Sequence, residues 1–83
     1  MIQEVEKKSI VKYLGKHPSR LIIPLLNSKK IHNSKGKSFS PKSIQNIING
    51  ETENTIVEME IFKLVATKKA EAQKLENFKK QTL

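Results

Sequence analysis

The sequence predicts an all-α fold, a small bundle of about four helices with a helix-turn-helix-like core and a long C-terminal helix. Three observations carry that expectation. Apolar residues recur at helical spacing in four separate stretches, and Pro, Gly and capping residues mark where those stretches start and stop. The last third of the chain is also rich in strong helix formers. At 83 residues the chain is one domain with a small core. It divides into a helical body over 1–66 and a polar helical tail over 67–83.

Residues 2–14 read as the first helix. Val5, Ser9, Ile10, Tyr13 and Leu14 form its stripe, and Gly15 is the stop. Residues 18–30 read as the second, with Leu21, Ile22, Leu25 and Leu26 at helical spacing and Pro18 in the first turn. Pro24 removes a ladder bond to the Arg20 carbonyl, at a cost of about 3 kcal/mol. This helix is therefore either kinked or begins near Pro24. Residues 31–39 are a polar segment between Ile31 and Phe39, either a small hairpin turning at Lys35–Gly36 or an irregular loop.

Residues 40–50 carry the clearest local pattern. Ser40 can cap, Pro41 suits the first helical position, and Gly50 suits a left-handed stop. Ile44, Ile47 and Ile48 give the buried face between them. Thr55-Ile-Val-Glu58 matches a capping box for a fourth helix. Val57, Ile61, Phe62, Leu64 and Val65 would supply its buried face, thinning to Ala72, Leu75 and Phe78 in the tail.

The net charge of +8 is unevenly placed. From Lys7 to Gly50 there is no acid at all, against Lys7, Lys8, Lys12, Lys16, Arg20, Lys29, Lys30, Lys35, Lys37 and Lys42. So localised an imbalance creates a positive field whose natural partner is a polyanion, above all nucleic acid. Surface lysines that merely keep a domain soluble need no such acid-free block. Four aromatics are too few for a platform of stacked bases, which favours double-stranded DNA.

On the short helix, Lys42, Gln45, Asn46 and Asn49 fall opposite the isoleucines. Asn and Gln can contact adenine edges bidentately, and Lys can reach guanine or phosphate. These four are the candidate base contacts. Ser40 and Ser43 at its start, with Lys29, Lys30, Lys35 and Lys37 around the preceding loop, are the candidate phosphate contacts.

The segment IIPLLNSKKI…GKSFSPKSIQNIINGETENTIVEMEIFKLV resembles the helix-turn-helix region of lambda-repressor-like (Cro/C1-type) DNA-binding domains. The matching positions are Leu25, Leu26, Phe39, Ser40, Ile44, Ile47, Asn49, Gly50 and Asn54. The resemblance covers about residues 18–66 and implies that 40–49 is the recognition helix. It also implies DNA contacts at Ser40, Lys42, Ser43, Gln45, Asn46 and Asn49. Two departures stand out: about nine to eleven residues separate the motif helices where the family has a tight turn, and Pro24 interrupts the first of them.

The other function classes lose ground. With no Cys there are no disulfides or thiolate chemistry. His17 and His32 are the only histidines, and neither stands at helical spacing from a carboxylate, so no metal site, cofactor or catalytic set is expected. The acids Glu51, Glu53, Glu58 and Glu60 are accounted for by the start of the fourth helix. The N-terminus lacks a signal-peptide apolar run, and Leu21–Leu26 is too short to span a bilayer. The expectation is a cytoplasmic, non-enzymatic DNA-binding protein without membrane or small-molecule partner, a transcriptional regulator or mobile-element accessory factor. It would form a homodimer through the C-terminal helix. The alternative is a protein-interaction module or inhibitor that meets an acidic protein surface.

Overall fold

The computed structural model describes residues 1–82, with the side chain of Thr82 excepted; Leu83, the end of the expected tail, lies outside the described residues. Four helices occur, α1 (Glu4–Leu14), α2 (Ser19–Ser28), α3 (Pro41–Ile48) and α4 (Thr55–Thr82). There is no strand among the described residues. The all-α expectation with a long C-terminal helix holds.

α1 packs on α4, α3 packs on α2, and α2 bridges to α4. The core comprises Ile2, Ile10, Leu14, Ile22, Leu26, Phe39, Ile44, Ile47, Ile48, Val57 and Ile61. Ile23, Ile31, Phe62, Leu64 and Val65 pack around it, half-buried. Each fully buried aliphatic side chain contributes about 1.5–3 kcal/mol of transfer free energy.

In α1 the expected stripe is shifted. Ile10 and Leu14 are buried, but Val5 is 76% exposed and Ser9 is exposed, while Ile2 is buried in their place. The reason is the start of the helix. Gln3 is the N-cap, and its backbone N–H donates to the Glu6 carboxylate at 2.8 Å. Ile2 therefore enters the core from an extended segment outside the helical period.

α2 begins at Ser19 and runs through Pro24 to Ser28, so the reading in which it starts near Pro24 is excluded. Pro24 and Arg20 are both exposed, which leaves the carbonyl that lost its ladder partner on the water side. Ile22 and Leu26 carry the burial; Leu21 is 42% exposed, and Ile23 packs against the core instead.

α2 ends without a glycine. The Ile31 N–H donates to the Leu26 carbonyl at 2.9 Å and the Lys30 N–H to the Asn27 carbonyl at 3.1 Å. These are the two bonds of a Schellman stop, and Lys30 occupies its left-handed position with φ 58°.

α3 ends in the same way on the expected residue. The Glu51 N–H donates to the Asn46 carbonyl and the Gly50 N–H to the Ile47 carbonyl, with Gly50 at φ 79°. Gly50 is required twice over. A Cβ there would lie 2.8 Å from the Ile2 carbonyl oxygen.

The cap of α4 is Asn54, not Thr55. The Val57 N–H donates to Asn54 Oδ1 at 3.1 Å, and the Asn54 N–H donates to Glu58 Oε2 at 2.8 Å. Thr55 is already helical. Asn is at least as good a cap as Thr, and Glu58 still reaches back from one position further along. Val57 and Ile61 are buried as expected, and Phe62, Leu64 and Val65 are half-buried. From Lys69 to Gln81 every residue is exposed. A 28-residue helix is about 42 Å long, so its second half projects beyond the body.

Candidate nucleic-acid interface

α3 is held from behind by Ile44, Ile47 and Ile48, at most 2% exposed, and its opposite face is left outward. Ser40 is its cap, as expected. The Ser43 N–H donates to Ser40 Oγ at 3.1 Å, and the Ser40 hydroxyl donates to Ser43 Oγ at 2.9 Å. The Ser43 hydroxyl proton is left for an outside acceptor. Lys42, Gln45 and Asn49 are exposed.

The four candidate base contacts do not behave alike. Gln45 Nε2 donates to Asn49 Oδ1 at 3.0 Å, tying two of them together one turn apart. Asn46 is half-buried, and its carboxamide makes no hydrogen bond to another described residue. It lines a groove of about 260 Å³ between the 32–34 turn, α3 and the 52–54 turn, floored by Phe39 and Ile47.

The 31–39 segment is an irregular loop organised by one side chain. Asn33 Oδ1 accepts the N–H groups of Lys35 at 2.9 Å and Lys37 at 3.0 Å. The Asn33 N–H donates to the Lys37 carbonyl at 2.8 Å, and the Gly36 N–H to the Asn33 carbonyl at 2.9 Å. Gly36 supplies the left-handed φ of 74° that this turn needs. Lys35 and Lys37 are thereby presented from a fixed backbone.

Charge pairing separates the lysines. Lys29 is bonded to Glu60, a carboxylate with 7% exposure that also faces Lys63 at 3.5 Å. The Lys29 hydrogen bond, and then the Lys63 charge, hold the Glu60 carboxyl below the usual range against its burial. Of the six candidate phosphate contacts Lys29 is thus the one with a charge partner among the described residues. Lys30, Lys35 and Lys37 form no ion pair with a described residue, nor does Lys42 on α3. Lys7, Lys8 and Lys12 lie on α1, whose main contact is α4, so the acid-free block is divided between two helix pairs.

Glu58 is the second buried acid. Its Oε1 lies 2.9 Å from the Met1 ammonium, and that bond, with the Asn54 N–H, lowers its pKa against desolvation. Neither acid's burial is marked in the sequence, because the partner is remote along the chain: Lys29 for Glu60 and Met1 for Glu58. Asn33 was equally unmarked, although Asn two residues before a Lys-Gly pair is a recognisable side-chain turn pattern. Among the described residues no three His, Asp or Glu side chains come together as a metal site, and no helix is long and apolar enough to cross a membrane.

No protein-family model, curated protein or solved structure matches the chain.

Proposed function

We propose that the protein binds double-stranded DNA sequence-specifically through α3, as a small cytoplasmic regulator of the Cro/C1-like helix-turn-helix kind. One observation supports this reading: the polar face of an eight-residue helix, with Lys42 on it, stands outward, and Lys42 together with Lys30, Lys35 and Lys37 of the preceding loop is neutralised by no described acid. Lys42, Gln45, Asn46 and Asn49 would meet base edges. Lys30, Lys35, Lys37, Ser40 and Ser43 would meet phosphates, and Lys29 would do so only by leaving Glu60. Residues 29–40, which join the two motif helices, form an ordered basic loop in place of a tight turn. One short helix reads few base pairs, so a second copy joined through the projecting half of α4 would supply the other half-site. Leu75, 56% exposed there, continues the apolar face of the helix.

The test is titration of duplex DNA at two or more salt concentrations. The affinity should fall with a log–log slope of about −0.9 per phosphate neutralised, and Lys35→Ala with Lys37→Ala should flatten that slope by about 1.8. Selection from a random duplex pool should return a common sequence, and Gln45→Ala should relax it. No binding at low salt would end the proposal.

A second reading has its own observation. Met1, Met59, Phe62 and Ala66 line an apolar groove of about 510 Å³ along the start of α4, and Ile56 beside Thr55 is 63% exposed. Such a surface suits an interaction module, which would bind no duplex at physiological salt.

A further inference from the structure

The groove beside α3 differs in character from the surface that surrounds it. No Lys, Arg, Asp or Glu lines it, although Lys30, Lys35, Lys37 and Lys42 lie within a few residues of its walls. Its floor is apolar, formed by Phe39 and Ile47. Seven polar residues line it: the side chains of Asn33, Ser43 and Asn54 are hydrogen-bonded within the protein, whereas those of His32, Ser34, Asn46 and Thr52, from three chain segments, make no hydrogen bond to another described residue. Asn46 is the most enclosed of these last four.

We propose that this groove receives one unstacked nucleobase from a nucleic-acid strand held by the neighbouring lysines. The proposal rests on the nucleic-acid reading and narrows it. A phosphate brought to this region is drawn to the ammonium groups rather than to an uncharged cleft. A base requires the opposite lining: apolar surface against its ring, with neutral donors and acceptors at its edge. A carboxamide offers both a donor and an acceptor in one plane. The volume lies just below the range of drug-sized sites, which suits a single ring system rather than a whole nucleotide. Four aromatics provide no platform for successive bases, but one cleft needs only one. A paired base within an intact duplex shows only its edge, so the occupant must be unpaired. Extrusion costs least where pairing is already absent.

The experiment compares three DNA ligands of the same flanking sequence: a fully paired duplex, a duplex with one bulged adenine, and the same bulge carrying an abasic nucleotide. The bulged adenine should bind about tenfold tighter than either of the others. Thr52→Val, which keeps side-chain shape and removes a hydroxyl, should lower that preference about threefold and leave paired-duplex affinity unchanged. Equal binding of adenine and abasic bulges would mean that flexibility, not a base, is sensed, and would overturn the inference. So would a preference that Thr52→Val leaves untouched. Paired-duplex binding with no bulge preference sinks the groove assignment alone. Absence of binding to all three sinks the DNA reading with it.

Discussion

Replacing Gly50 with alanine tests the link between the stop of α3 and the N-terminal segment. Two separate penalties apply. The residue has φ 79°, where a Cβ costs about 1–2 kcal/mol, offset by about 0.4–1 kcal/mol because alanine restricts the unfolded chain. The new Cβ would also lie 2.8 Å from the Ile2 carbonyl oxygen, a backbone atom that moves only if Ile2 moves. Ile2 is 5% exposed, and losing its burial forfeits about 1.5–3 kcal/mol. The two effects together give a loss of about 2–3 kcal/mol, since the segment can yield part of the way. Gly36→Ala is the internal control: its φ is 74°, but nothing lies within 4 Å of its Cβ position, so only the first penalty applies. Urea unfolding followed by circular dichroism measures both. Gly50→Ala should exceed Gly36→Ala by at least 1 kcal/mol or so. Equal losses would show that the N-terminal segment does not press on Gly50, and the account of this contact would be wrong.

Two other expectations follow from the same geometry. Lys30→Gly relieves a left-handed lysine and should raise stability by about 0.5–1 kcal/mol in the same urea assay, while weakening duplex binding through loss of a cation. Acid titration should expose the buried carboxylates. The folded-state pKa values of Glu58 and Glu60 are lowered, so their stabilisation is present above the unfolded value of about 4.3 and is lost as pH falls through the folded values. Lys29→Met should make that loss shallower by removing the first partner of Glu60, as read from thermal midpoints between pH 2 and 6.

What the sequence made legible is what short-range chemistry determines. Ser40, Pro41, three isoleucines and Gly50 fix both ends and the buried side of α3 within eleven residues, and the structure agrees at each. The Lys30 stop was illegible because a lysine carries no mark of a left-handed backbone. The exchange of Val5 for Ile2 followed from placing the start of α1 two residues early. The cap of α4 moved by one residue because Asn54 and Thr55 are both able caps, and only the fold chooses between them. On α3, the outward face followed from the inward one. The Gln45–Asn49 bond and the turn of Asn46 toward a groove did not, since they depend on rotamers and on loops brought in from either side.

The stops of α2 and α3 bear on the proposed function when set against each other. α3 stops on glycine, which takes the left-handed backbone without steric strain. α2 stops on Lys30, which is strained there, and a glycine would relieve it. Glu51 and Glu53 lie within three residues of Gly50, yet neither forms an ion pair with the loop lysines. The fold neutralises Lys29 with a buried carboxylate and leaves the next residue, Lys30, and then Lys35, Lys37 and Lys42, without a charge partner among the described residues. Strain and like-charge repulsion on one loop both lower the stability of the free protein. Solubility alone would be met as well by lysines spread among acids and by a glycine at position 30. A polyanion reverses the balance, because each unpaired ammonium then meets a phosphate and displaces its counterion. The position of the strained cation, at the head of the loop that leads into α3, is therefore an argument for what that face meets.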